Sequence, residues 1–138
     1  MAGTLIGVIG VAIGWRLGAA TADQNRPQTW VYELRTYTTH PGKLPDLHKR
    51  FREHTMRIFE KHGIRNVAYW TPVDEKLKDN TLVYLIAHRS LEAAEKSWAA
   101  FRDDPEWKRV FAKSRENGPI VKKVQRQFLI PTDYSPMK

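Results

Sequence analysis

Residues 81–88 read TLVYLIAH. This is the most strand-like run in the chain, rich in β-branched and aromatic residues, and it predicts a strand central in its sheet. Upstream of it, Pro72 to Asn80 is a charged loop, and Ile64 to Thr71 alternates in character around Val67, Tyr69 and Trp70, predicting another strand. Downstream, Ser90 can cap a helix in which Leu91, Ala94, Trp98 and Phe101 recur at helical spacing. Asp104-Pro105 restarts helicity as an N-cap followed by proline at the first helical position. Trp107, Val110, Phe111 and Ser114 are that helix's expected buried stripe, and Asn117-Gly118-Pro119 stops it. Val121 to Ile130 is the last strand, ended by Pro131. Further out on the other side, residues 43–62 predict a helix whose apolar face holds Leu44, Leu47, Phe51, Ile58 and His62. Gly63 closes it, Pro41-Gly42 precedes it, and Trp30 to Thr38, WVYELRTYT, is the first strand.

The order β-α-β-β-α(α)-β is the split βαβ, or ferredoxin-like, arrangement, an α+β fold with helices on one sheet face. The other face must be solvated, covered by a partner or used for a ligand. The chain of 138 residues supports one domain of ordinary size. It has no cysteine, so disulfides, thiolate metal sites and cysteine nucleophiles are excluded. The net charge of +8 favours an anionic ligand, a membrane surface or an acidic partner. The basic residues are spread along the chain rather than clustered, which argues against nucleic acid.

Residues 1–22 stand apart as a signal peptide or membrane anchor, 23–29 are a linker, and 30–138 form the domain. Ala2 to Trp15 is almost wholly apolar. At about 1.5 Å per residue it reaches roughly 21 Å, short of the roughly 30 Å hydrocarbon core. Ala20-Thr21-Ala22 has the form that precedes a signal cleavage site, so export is expected, but no Lys or Arg precedes the apolar run. An uncleaved anchor, which would be the chain's contact with a membrane, is the alternative.

On the first strand Glu33, Arg35 and Tyr37 share one face and Tyr32, Leu34 and Thr36 the other. Assigning the leucine face to the helices leaves Glu33, Arg35 and Tyr37 on the uncovered face. Trp70, Tyr84, His88 and Arg126 are their expected companions there. Three readings stand: an ion pair within a dimer interface, an anion or carbonyl pocket, or a general acid/base role for Glu33 or His88. His48, His54 and His62 lie on the first helix without i,i+4 spacing, and no H-E-x-x-H occurs, so no metal site is expected. No phosphate loop, dinucleotide fingerprint or nucleophile elbow appears, so no cofactor is expected either.

ELRTY at 33–37, PGK at 41–43, HG at 62–63, YW at 69–70 and DDPEW at 103–107 together resemble the NIPSNAP family. Phe51, the Asn80–Tyr84 stretch and the ending FLIPTDYSP at 128–136 fit the same pattern, the ending looking like the bacterial, leader-bearing branch. The resemblance implies a dimeric α+β barrel in which two ferredoxin-like sheets pack face to face, and hence a homodimer. Animal relatives are mitochondrial proteins linked to vesicle handling and mitophagy. Cousins by fold include cofactor-free monooxygenases, isomerases and haem proteins, and the family supplies no agreed catalytic residues. This chain is short, holds one copy of the domain and carries its own leader, so a mitophagy role does not transfer. Two functions follow as expectations. One is a non-catalytic dimer outside the cytoplasm that binds a small anionic or hydrophobic ligand or a protein partner. The other is a cofactor-independent enzyme of the monooxygenase or isomerase type.

Overall fold

A computed structural model describes residues 29–138; the expected leader and most of the linker lie outside the described residues. The strands are β1 (Val31–Thr39), β2 (Arg65–Trp70), β3 (Thr81–His88) and β4 (Val121–Leu129). They form one sheet in the order β2-β3-β1-β4, with every neighbouring pair antiparallel. β3 lies between β1 and β2, which is the split βαβ expected from the sequence. Among the described residues no helix is long and apolar enough to cross a membrane.

The segment between β1 and β2 is helical throughout but not uniform. It comprises α1 (Leu44–Arg50), a π-helical turn (Phe51–Thr55) and α2 (Met56–Lys61). Within the π turn the Thr55 hydroxyl donates to the Arg50 carbonyl at 3.2 Å. This turn turns the chain so that both Ile58 and Phe59 are buried, where a regular wheel singles out Ile58 alone. Gly63 ends the segment at φ +76°, a left-handed conformation that glycine adopts without steric cost.

The second helical segment follows its sequence signals closely. Ser90 accepts from the Ala93 amide and starts α3 (Leu91–Asp103). Asp104 accepts from the Glu106 amide and starts α4 (Pro105–Ser114). The expected buried stripe of α4 is only partly realised. None of its residues is fully buried, Trp107 and Val110 are partly covered and Phe111 stays exposed. α4 therefore stands off the sheet where α3 does not.

The core lies between the helices and one sheet face. It joins Leu47, Phe51, Ile58 and Phe59 to Leu82, Tyr84 and Ile86 of β3 and to Trp98 and Phe101 of α3. Burying each such side chain contributes about 1.5–3 kcal/mol. Aromatic edges meet aromatic faces through it, as between Phe59 and Trp98 at 5.3 Å.

The face assignment drawn from the sequence is reversed. Glu33, Arg35 and Tyr37 lie beneath the helices, and the Leu34–Thr36 face is open. Register shows this directly, since Glu33, Arg35 and Tyr37 stand opposite Ile86, Tyr84 and Leu82, all core residues. The physical reason is that β3 is apolar at both parities, so leucine content does not distinguish the faces. The covered face also carries the larger rings, and its one carboxylate is fully paired. On the open face Leu34, Val83, Leu85 and Ala68 are half-buried and Trp70 is exposed. At one end of this face the Tyr32 hydroxyl donates to the Lys138 carbonyl at 2.7 Å, so the C-terminal segment laps over it.

Candidate ligand-binding site

Two charged centres sit under the helix layer, the Glu33–Arg35 pair and Arg50, and their surroundings differ. Glu33 is wholly buried. One carboxylate oxygen accepts from Arg35 Nη1 at 2.6 Å; the other accepts from Trp98 Nε1 at 2.7 Å and meets His88 Nε2 at 2.9 Å. His88 Nδ1 is buried with no partner. An unpaired lone pair there costs less than an unpaired N–H, which places the proton on Nε2, aimed at Glu33. Burial pushes the Glu33 carboxyl up, but the bonds from His88 and Trp98 and the charge of Arg35 outweigh it and hold it below its ordinary value. Arg35 lies over the Trp98 ring at 4.3 Å. Burial disfavours the Arg35 charge, and the phenol oxygens of Tyr37 and Tyr84 together with Glu33 more than offset this.

Arg50 is nearly as buried, at 5% exposure, yet no described carboxylate lies within ion-pair distance of it. Its Nη1 donates to Ser114 Oγ at 3.2 Å, and its Nε is buried without a partner. The guanidinium lies 5.4 Å from the ring centres of both Trp107 and Phe111. Burial pulls its pKa down, and the nearby charge of Arg115 acts the same way against the phenol oxygens of Tyr37 and Tyr84.

Arg50 lines a cavity of about 270 Å³ between β1, β4, the π turn, α3 and α4, walled by Tyr37, Phe51, Trp98, Trp107 and Val121. Phe111 and Val124, the lining residues that remain exposed, mark its mouth. The volume lies just below the usual range of about 300–1,000 Å³ for ligand sites, and the walls are mostly aromatic with a few polar groups, as in such sites. The cavity exists because α4 stands off β4. The π turn supplies Phe51 and Thr55 to its wall directly after Arg50.

Tyr37 contributes a hydroxyl. Its oxygen meets Arg35 Nη2 at 3.3 Å and the Tyr84 hydroxyl at 3.0 Å. Arg35 can only donate. Tyr84 is wholly buried with no other hydrogen-bond partner among the described residues, so a proton not given to Tyr37 would be stranded. Tyr84 therefore donates, and Tyr37 keeps its own proton free at the cavity wall.

The seven residues singled out from sequence separate into three groups. Glu33, Arg35, Tyr37, Tyr84 and His88 do come together, on the helix-covered face rather than the open one. Trp70 does not join them. It stands opposite Val83, on the other face from Tyr84, because β2 is irregular between Asn66 and Ala68. Tyr69 takes the expected place and stacks on Tyr84 at 5.3 Å. Arg126 shares the face of Arg35 by register but sits on the edge strand β4, exposed, over Phe128 at 5.8 Å. Sequence reasoning missed Arg50 and paired Trp98 with the apolar core alone. The available signals were a cation next to the apolar stripe of one helix and an indole N–H that needs an acceptor when buried. Among the described residues no group of His, Asp and Glu is arranged to hold a metal ion.

The sequence profile of the NIPSNAP family matches residues 32–136. No curated protein matches. Among solved structures, a NIPSNAP family protein of unknown function from Agrobacterium tumefaciens superposes with a TM-score of 0.68 at 24% identity, covering 82% of this chain and 97% of that one. An uncharacterized NIPSNAP-like domain protein from Burkholderia xenovorans gives 0.68 at 22% identity, covering 80% and 91%. SnoaB, a cofactor-independent oxygenase from Streptomyces nogalater, gives 0.53 at 14% identity, covering 78% and 98%, a likeness of fold.

Proposed function

The chain belongs to the NIPSNAP family, with the α+β fold of dimeric α+β barrel proteins, and on that premise we propose a homodimeric binding protein that holds a small anionic molecule between sheet and helices. Arg50 is the observation that carries this reading. A buried guanidinium without an acid partner costs stability, and a bound anion offsets that cost. Dimerisation is supported by the open sheet face, where Trp70 is 51% exposed beside half-buried Leu34, Val83 and Leu85. Export, with cleavage behind Ala22, belongs to the same reading and rests on the Ala20-Thr21-Ala22 motif. A second reading, a cofactor-independent enzyme, draws on the free Tyr37 proton beside Arg50, a donor placed to polarise a bound carbonyl. The likeness to SnoaB adds only the fold to it.

Protein purified from its native source tests the proposal. Denaturing extraction and mass spectrometry should release a small organic anion near one per protomer, absent from Arg50→Gln. Sedimentation should give a dimer at micromolar concentration. Ligand-free protein whose melting temperature no small organic acid raises would sink the binding reading, and a stable monomer would sink the dimer.

A further inference from the structure

The cavity walls also define the kind of anion. Arg35 is neutralised by Glu33, so Arg50 contributes a single uncompensated positive charge to the interior. Arg115 lies over the Phe111 ring at 4.8 Å but is itself exposed, where water screens it. A dianion such as a phosphate monoester would leave a net negative charge buried. A monoanion would not. A guanidinium presents a planar fork that matches the two oxygens of a carboxylate. Tyr37 offers a second donor from β1, on the sheet side of the cavity, whereas Arg50 reaches in from the helix side. Most of the remaining wall is aromatic, with Phe51, Trp98, Trp107 and Phe111 beside the smaller Thr55, Val121 and Val124, and rings favour a flat, polarisable body over a branched one. At about 270 Å³ the space suits a short molecule and not a long acyl chain.

From this we infer that the cavity takes a small aromatic or conjugated monocarboxylate, its carboxylate held between the Arg50 guanidinium and the Tyr37 hydroxyl. The inference rests on the ligand-binding reading above and narrows it to one chemical class. Arg50 has a neutral hydroxyl as its acceptor and an unpaired Nε, the Tyr37 proton has no protein acceptor, and one carboxylate serves both donors at once.

Calorimetric titration with cinnamate, cinnamamide, phenyl phosphate and hexanoate tests it, with tryptophan fluorescence as a second readout because Trp98 and Trp107 line the cavity. Cinnamate should bind at least about tenfold tighter than cinnamamide, a difference of about 1.4 kcal/mol. It should also exceed phenyl phosphate and hexanoate. Arg50→Gln should erase the preference for carboxylate over amide while leaving the weak amide binding in place. Arg50→Lys, which keeps the charge but loses the fork, should fall between. Tyr37→Phe should weaken cinnamate roughly fivefold, the value of one hydrogen bond. Equal binding of cinnamate and its amide would overturn the carboxylate inference while leaving a ligand cavity standing. Tighter binding of phenyl phosphate would overturn the monoanion, and of hexanoate the flat body. Failure of all four probes to bind overturns the inference; a ligand extracted from native protein would still uphold the broader reading.

Discussion

Glu33 and Arg50 are both buried beneath the same helix layer, yet they do opposite things for the molecule. Glu33 gathers three donors from β1, β3 and α3 and so fastens the sheet to the helix above it. Arg50 has a serine hydroxyl, two aromatic faces and an unpaired nitrogen. Burial alone does not separate a structural charge from a functional one; the count of oppositely charged partners does. The Glu33 carboxylate is saturated, with both oxygens bonded and its charge balanced. The nitrogens its cluster leaves unpaired, Arg35 Nε and His88 Nδ1, belong to residues that do not line the cavity, whereas Arg50 does.

Breaking the saturated side should produce the largest effect. Arg35→Ala leaves the Glu33 carboxylate buried with two donors and no counter-charge, which should cost about 3–5 kcal/mol in urea unfolding. Glu33→Gln should also destabilise, and the double variant should lose less than the sum of the two. A loss under about 1 kcal/mol for Arg35→Ala would show that the cluster does not hold the layers together.

Acid sharpens the contrast next. The Glu33 carboxyl is held below its ordinary value of 4.5, so its contribution is present above that pH and is lost as pH falls through the lower folded value. Asp104 acts with the same sign, since bonds from Lys61 and His62 hold it well below the carboxylate range. Melting temperature should therefore fall steeply on acidification below about pH 4.5. Glu33→Gln should flatten part of that fall, and Asp104→Asn another part. An unchanged acid limb in Glu33→Gln would contradict the saturated-cluster account.

The smallest effect is expected at Arg50. Arg50→Leu removes an uncompensated buried charge but also two cation–aromatic contacts, each worth up to about 2 kcal/mol where the cation is desolvated, so the two effects oppose each other. Unliganded stability should change by less than about 1 kcal/mol in either direction. A loss comparable to that of Arg35→Ala would make Arg50 a second structural charge and remove its distinction.

Much of the fold was legible because it is encoded locally. Ser90 and Asp104 cap where their side chains predict, and the strand 81–88 stands where its composition puts it. The sheet face was not legible, because Val83 and Leu85 look as buriable as Leu82 and Ile86. The partners that make Glu33 buriable lie 55 and 65 residues further along the chain. Five of the seven candidate residues did converge, since alternation on β1 and β3 groups them correctly whichever face is covered. Arg50 escaped notice because a helical wheel places it off the apolar stripe. Only the arrival of Trp107 and Phe111 from α4 covers it.

The π turn at Phe51–Thr55 acts on its helical segment much as a spacer acts on a reading frame. Arg50, just before it, serves the cavity, Leu47 before it and Ile58 after it serve the core, and Phe59 after it serves both. Five π-helical residues turn the chain about as far as four α-helical ones, so the turn absorbs one extra residue without moving the faces on either side. Winding all five residues regularly would instead rotate everything downstream by about 100° and carry Phe59 off the sheet while Arg50 kept its place. Insertions and deletions in this stretch are thus not interchangeable with those in the loop at 71–80, where a change of length leaves no helix to rotate. Relatives that keep the number of residues between Arg50 and Ile58 can vary the side chains between them and still share one architecture.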